Sequence, residues 1–289
     1  MTATCAAGVN TNFASLSYSK VAVLGVVQGI SELLPISSTA HMRVVPALLG
    51  WPDPGSAFSA AMQMAALLAV IVFFRDDILG IASGSYRAAR LRQFGDPHAR
   101  LLALMVVATI PIAIAGWAAS GLLNACNSPF RTLSVVAWAC IGLGVLLGLA
   151  ELLARHVRSL ESARIRDALL VGIAQVGALV PGVSRSGSTI TASLALGFRR
   201  EDAARLSFLI GIPAIALAGI HELWILHHAH LSHRGWLVLA VGLITASASS
   251  FAGLWLLMKI LHRWSAWPFV VYRVGLGMLL LFLVSRGWS

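Results

Sequence analysis

Two short stretches of the chain carry side chains able to do chemistry together. In the first, from Gln28 to His41, Gln28 and Glu32 are four residues apart and share one helix face, so both can address one ligand. Pro35 interrupts that helix, and Ser37, Ser38, Thr39 and His41 follow, giving three hydroxyls and an imidazole. A hydroxyl becomes nucleophilic beside a base, and histidine titrates near neutral pH, so nucleophile, base and acid lie close in sequence. The second stretch reads Pro181-Gly182-Val183-Ser184-Arg185-Ser186-Gly187-Ser188-Thr189. Its glycines allow close backbone approach, its hydroxyls and helix-start amides donate to oxygens, and Arg185 adds a planar charged fork. This is an anion cradle that suits phosphate. An attacking set and a charge-stabilising set are what phosphoryl transfer requires.

Both stretches interrupt apolar segments of a chain that is apolar almost throughout. Of 289 residues 58% are apolar and 11% charged, with a mean hydropathy of +0.84, which excludes a soluble domain and a disordered chain alike. A membrane helix needs about 20 apolar residues. Residues 54–74, 101–123, 132–150, 206–226, 235–258 and 264–285 supply six such spans. Segments 18–49 and 168–198 are broken by the two Pro/Ser-rich stretches and read as helix, loop, helix. Non-helical backbone at membrane depth must be shielded by protein or line a wet cavity, so each is expected to be a re-entrant hairpin. Pro35 and Pro181 are 146 residues apart, and each broken segment precedes three spans. An odd number of crossings inserts the second copy upside down. The expected fold is therefore an all-α integral membrane protein, one domain over residues 1–289. It has six transmembrane helices plus two re-entrant helix-loop-helix hairpins in an inverted-topology repeat, with halves at 18–153 and 164–286.

The charges support this topology. With residues 1–53 outside, connectors 75–100, 154–167, 199–205 and 259–263 fall inside and hold 14 of the 21 Lys and Arg. The net charge of +10 thus follows from membrane orientation, and no nucleic-acid partner is expected. Lys20 is the first basic residue, so no cleaved signal peptide is expected. Cys5, Cys126 and Cys140 form no CxxC and read as packing residues. His227, His228, His230 and His233 are compositional evidence only for a metal tract. Trp51, Trp236 and Trp267 read as interface anchors, and Asp76, Asp77 and Asp96 as solvated connector charges. Arg43 suits a snorkelling role. Arg273, alone in an apolar run, suits either a structural pairing or a phosphate contact.

Gln28-xxx-Glu32 with LLPISSTAH, together with PGVSRSGST, resembles the two signatures of the bacterial undecaprenyl-diphosphate phosphatase family, also called the bacitracin-resistance protein family. The resemblance runs from about Lys20 to the C-terminus and takes in Gln63, the SFL at 207–209 and the PFVVYR ending at Arg273. It implies an inner-membrane, multi-pass enzyme of bacteria with its site facing the periplasm. Such an enzyme hydrolyses undecaprenyl diphosphate to undecaprenyl phosphate and inorganic phosphate, recycling the lipid carrier of cell-wall synthesis. It implies a divalent cation, Mg²⁺ or else Ca²⁺, at Glu32 and Gln28, although the neutral amide of Gln28 is a weaker ligand than a carboxylate. It implies Ser38 and His41 as nucleophile and base, and Arg185 with Ser184, Ser186 and Thr189 as a diphosphate clamp. Ser37, Thr39, Gly182 and Arg273 complete the expected substrate contacts. Whether Ser38, His41 or water attacks phosphorus stays open, as does the oligomeric state, a homodimer included. The alternative function is a polyprenyl-phosphate transporter or flippase on the same inverted plan. A phosphatidic-acid-type phosphatase fits poorly, because no His follows Ser184-Arg185 at that family's spacing.

Overall fold

The six apolar runs and two broken segments become eleven α-helices in the computed structural model, which describes residues 11–92, 95–123, 132–229 and 231–287. Cys5, Cys126, Arg131 and His230 lie outside the described residues. The helices are α1 (Tyr18–Leu33), α2 (Ser38–Leu48), α3 (Ser56–Phe73), α4 (Arg75–Leu91), α5 (Pro97–Leu123) and α6 (Leu133–Leu153) in the first half. The second half holds α7 (Ile165–Val176), α8 (Arg185–Ala195), α9 (Arg200–His228), α10 (His233–Arg263) and α11 (Trp267–Ser285). Five of them, in α5, α6, α9, α10 and α11, are long and apolar enough to cross a membrane alone. The run at 54–74 gives α3, which passes that test only together with α4, bent from it by 77°. The expected connector after Arg75 is thus itself a helix. Ile81, Gly84 and Ala88 form its buried stripe, and its charged remainder is polar enough to stay at an interface. Outward faces carry bare apolar side chains, among them Ile110, Ile114, Leu146, Leu149 and Phe282, a surface that water would not tolerate and lipid requires. The chain is an all-α integral membrane protein.

The broken segments form two short helix pairs, α1 with α2 and α7 with α8. Their helices have 16, 11, 12 and 11 residues, all below a membrane span. Both breaks end the same way. Ser37 and Ser184 adopt positive φ, +72° and +68°, and each caps the following helix by accepting a backbone N–H three residues on. Positive φ costs a non-glycine residue energy, so the turn persists because the surroundings demand it.

Several close helix pairs are preserved when the halves are exchanged. Replacing α1, α2, α3, α5 and α6 by α7, α8, α9, α10 and α11 turns the α1–α10 pair into α5–α7 and α3–α10 into α5–α9. It returns α3–α9 and α6–α11 to themselves, and all these pairs are packed. Close approaches repeat too. A Cβ on Gly25 would lie 2.0 Å from Thr245 Oγ1, and one on Gly172, 147 residues later, 2.5 Å from the Ala108 carbonyl oxygen. The exchange fails for α1–α3 and α9–α10, whose counterparts α7–α9 and α3–α5 are not closely packed, and at α2. The helix α8 lies along both α6 and α9, whereas α2 has no comparably close packing on α11 or α3.

One core joins the hairpins. Leu33, Leu34 and Ile36 of the first break pack in the same buried cluster as Ile190 and Leu194 of α8 and Phe208 of α9. The four basic connectors meet at one end of the bundle, where Arg205 pairs with Asp77, Arg200 with Glu151 at 2.5 Å and His262 with Glu201 at 2.5 Å. Arg100 there donates to the carbonyls of Glu161 and Ala163. Asp77 and Asp96 are therefore not plain solvated charges. The former pairs across elements, and the latter accepts the His98 and Ala99 amides at 2.8 and 3.3 Å to start α5. Asp76, by contrast, is exposed.

Candidate active site

The tips of the two hairpins touch. Ser186 Oγ at the start of α8 donates to the carbonyls of Glu32 and Leu34 at 3.2 and 3.3 Å. Arg273 of α11, wholly buried, ties both loops by donating to Pro35 O at 3.1 Å, Gly182 O at 2.8 Å and Val183 O at 3.0 Å, with Nε on Cys140 O at 3.4 Å. Arg273, for which the sequence left a structural pairing or a phosphate contact open, thus meets four main-chain carbonyls. Gly182 likewise serves the fold. At φ +100° it abuts α6, where a Cβ would fall 2.6 Å from Val136 O.

On the first hairpin, Gln28 Nε2 and Ser38 Oγ both donate to Glu32 Oε2, at 2.9 and 2.6 Å. Gln28 and Glu32 are buried and Ser38 is half-buried. The hydroxyl therefore faces the carboxylate across the break and not His41, although His41 is one turn along the same helix. The imidazole turns the other way. Its Nδ1 meets Ser37 O at 2.7 Å and its Nε2 the Tyr272 hydroxyl at 2.6 Å, with the two rings stacked at 5.6 Å between centroids. Thr39 is exposed, about 100° round the helix from Ser38.

On the second hairpin, Arg185 is half-buried beside α9, with Nη1 on the Ser207 carbonyl at 3.4 Å. Its Nε and Nη2 are buried with no hydrogen-bond partner in the protein, and the Glu32 carboxylate is near enough for the two charges to act on each other. Buried guanidinium donors left idle cost several kcal/mol unless an anion meets them. The neighbouring hydroxyls are already engaged. Ser184 caps α8, Ser188 donates to Arg185 O at 3.0 Å, and Thr189 bonds the Ser207 hydroxyl at 2.6 Å. Of the expected clamp, only Arg185 has donors to spare. Along α8 an apolar groove of about 580 Å³, open to the outer surface, runs between α6, α7 and α8, lined by Leu143, Leu146, Leu153, Ala174 and Val183 among others.

Metal binding is testable on chemistry alone. Gln28 Oε1 is buried without a partner in the protein, and Glu32 offers carboxylate oxygens next to it. Two hard oxygens suit Mg²⁺ or Ca²⁺, with substrate oxygens completing the shell. No cluster of three or more His, Cys, Asp or Glu able to hold a metal occurs among the described residues. Of the His-rich stretch, His227 and His228 end α9, where the His228 ring lies tilted against Trp224 at 4.5 Å between centroids.

Two residues at the site escaped the sequence reading, Ser207 and Tyr272. Both lie within the SFL and PFVVYR stretches already noted, but a lone hydroxyl in an apolar run carries no spacing signal that marks it as functional.

A model of the family described as Bacitracin resistance protein BacA matches residues 21–279. The chain is 62% identical over 261 residues, 90% of this chain and 99% of the relative, to undecaprenyl-diphosphatase 2 of Mesorhizobium japonicum. It is 48% identical over 265 residues to undecaprenyl-diphosphatase of Gloeobacter violaceus, covering 92% of this chain and 91% of that one. With the undecaprenyl-diphosphatase of Myxococcus xanthus it shares 44% over 273 residues, 94% and 91% of the two chains. Since both loops, the Arg273 tie and the Glu32–Ser38 pair all fall inside the matched stretch, the chain belongs to the bacitracin resistance protein BacA family.

Proposed function

We propose that this protein hydrolyses undecaprenyl diphosphate to undecaprenyl phosphate and inorganic phosphate. The observation that carries the reading is the Arg185 guanidinium, with buried idle donors, close enough to feel the charge of the Glu32 carboxylate, to which the Ser38 hydroxyl is hydrogen-bonded at 2.6 Å. The names of the relatives agree with it. Arg185 binds oxygens of the diphosphate. Ser38 Oγ attacks the terminal phosphorus as its proton passes to Glu32, the bond to the bridging oxygen breaks, and undecaprenyl phosphate leaves with the electron pair. Water then attacks the phosphoseryl group and gives a proton to His41, while Ser38 regains its own from Glu32. This assigns His41 to the second step, where the sequence alone suggested the first. A bound Mg²⁺ or Ca²⁺, held by Glu32 and Gln28 Oε1, would supply positive charge against the phosphate oxygens.

The same reading holds the two halves to be an inverted-topology repeat with re-entrant hairpins, which the exchange of helix pairs and the shared serine caps support. It sets the protein in the bacterial inner membrane with the site open to the periplasm, in line with the basic connectors gathered at one end. The apolar groove between α6, α7 and α8 would take part of the polyprenyl tail. Phosphate release by purified protein in detergent is the test. Wild type is expected to release phosphate from undecaprenyl diphosphate and to stop with chelator, and Ser38→Ala and Glu32→Gln to lose at least about a hundredfold. A flippase would bind the lipid and release none, and full activity in Ser38→Ala would remove the serine from the chemistry.

A further inference from the structure

The tautomer of His41 follows from its neighbours. Ser37 O, a carbonyl, can only accept, so Nδ1 at 2.7 Å from it carries the proton. In the neutral ring Nε2 is then the free base, and the group 2.6 Å from it is the Tyr272 hydroxyl, which donates. The stacked rings, 7° from parallel, hold that alignment. Ser38 leaves this nitrogen alone, because its hydroxyl is on Glu32. Tyr272 immediately precedes Arg273, so one turn of α11 both ties the loops and engages the base. That engagement adds a polar tie between α2 and α11 to the apolar contacts of Ala40 and Val44 with Cys140 of α6 and Leu280 of α11. Without the hydroxyl, the His41 ring keeps Ser37 O and the stacked aromatic ring but loses its contact at Nε2.

We propose that Tyr272 is a positioning residue of the reaction. It acts through His41: with Nδ1–H already fixed on Ser37 O, the phenol hydroxyl holds the direction of the Nε2 lone pair and gives that nitrogen up to the water of the second step, which then passes its proton to it. The assignment rests on the phosphatase reading, and its test separates the two.

Tyr272→Phe keeps the stacking ring and removes only the hydroxyl. Two measurements are made on the purified full chain. The first is steady-state phosphate release in a cycle of wild type, Tyr272→Phe, His41→Ala and the double variant. The expected result is about a tenfold fall in kcat for Tyr272→Phe with KM within about twofold, and a double variant no slower than His41→Ala. The second needs no turnover. Diethyl pyrocarbonate acylates an imidazole nitrogen that has a free lone pair, and mass spectrometry of the peptide bearing His41 reads the rate. Freed of its phenol, His41 is expected to react several-fold faster. Should wild type release no phosphate, the phosphatase reading fails while the acylation rate still decides whether Tyr272 holds Nε2. Wild-type turnover in Tyr272→Phe overturns the assignment whatever the acylation rate, as does a loss in the double variant equal to the product of the single losses.

Discussion

Gly211→Ala separates the fold of this protein from its chemistry. Gly211 lies inside α9, where the added methyl would sit 2.1 Å from Arg185 Nη1 and 2.9 Å from its Cζ. Ordinary contact begins near 3.4 Å, so the guanidinium must retreat by roughly 1.3 Å. The helix itself gains from the change, since alanine is favoured over an interior glycine by about 1 kcal/mol. The colliding atoms are the far end of a side chain and not backbone, so Arg185 yields and α9 does not. Its Nε and Nη2 are buried, and the move spoils their register with phosphate oxygens. A misplacement of about 1 Å costs on the order of a hundredfold in rate. The expected outcome is a fall of about a hundredfold in kcat/KM for phosphate release, with a melting temperature in detergent equal to or above that of wild type. Gly142→Ala, which meets nothing within 4 Å, is the matched control and keeps full activity. Wild-type kcat/KM in Gly211→Ala would mean that the position of Arg185 does not set the rate. A lowered melting temperature would mean that the helices gave way instead.

Two further outcomes follow from the frame around the site. In Gly172→Ala the new Cβ meets the backbone of α5, 2.5 Å from Ala108 O and 2.8 Å from its Cα, which cannot step aside; a loss of about 1–3 kcal/mol is expected, read as a lower melting temperature, and an unchanged one would show that α5 and α7 are not held at this distance. Burial pushes the Asp167 carboxyl up, but Arg158 at 2.6 Å and the Arg164 amide at 2.8 Å outweigh it and hold the carboxyl below its ordinary value. A carboxylate depressed on folding stabilises above its unfolded value of about 3.9, and that stability is lost as pH falls through the folded value. Wild type should therefore lose stability more steeply below about pH 4 than Asp167→Asn, as measured by thermal melts across pH, and parallel curves would remove the pair from the account.

Six apolar runs, five of which become helices long enough to cross a membrane alone, and two interruptions were readable because lipid imposes long charge-free runs and because proline, serine and glycine break helices in identifiable ways. What α4 does was not readable, since seventeen residues rich in arginine and small side chains look like a connector until their buried stripe of Ile81, Gly84 and Ala88 is seen packed. The site was readable as a set of residue types, less so as a set of bonds. Spacing puts Ser38 and His41 a turn apart on one helix and suggests that they pair. The positive φ of Ser37 starts the helix at an angle that presents the Ser38 hydroxyl back to Glu32, and no spacing rule encodes that turn. Arg273 stood out as a charge in an apolar run, yet its partners are main-chain carbonyls of two loops about 90 and about 240 residues away, which no pattern of side chains announces.

The location of those carbonyls bears on the choice between enzyme and transporter. Alternating access needs the two halves to rock about the site, and here the site is where they are fastened. Arg273 belongs to the second half and holds Pro35 of the first, Ser186 of the second half reaches Glu32 and Leu34 of the first, and the guanidinium is wholly buried. Rocking would strip donors from a buried cation and leave loop carbonyls unpaired, each at a cost of about 1–3 kcal/mol and more for the charged partner. Equivalent positions of the two loops, just after the positive-φ serines, carry unlike groups, Ser38 on one and Arg185 on the other. A transporter gains nothing from that difference, whereas a phosphoryl transfer requires a nucleophile and a cation on fixed, opposed supports. Two similar turns are thus made complementary by the residue that opens each following helix.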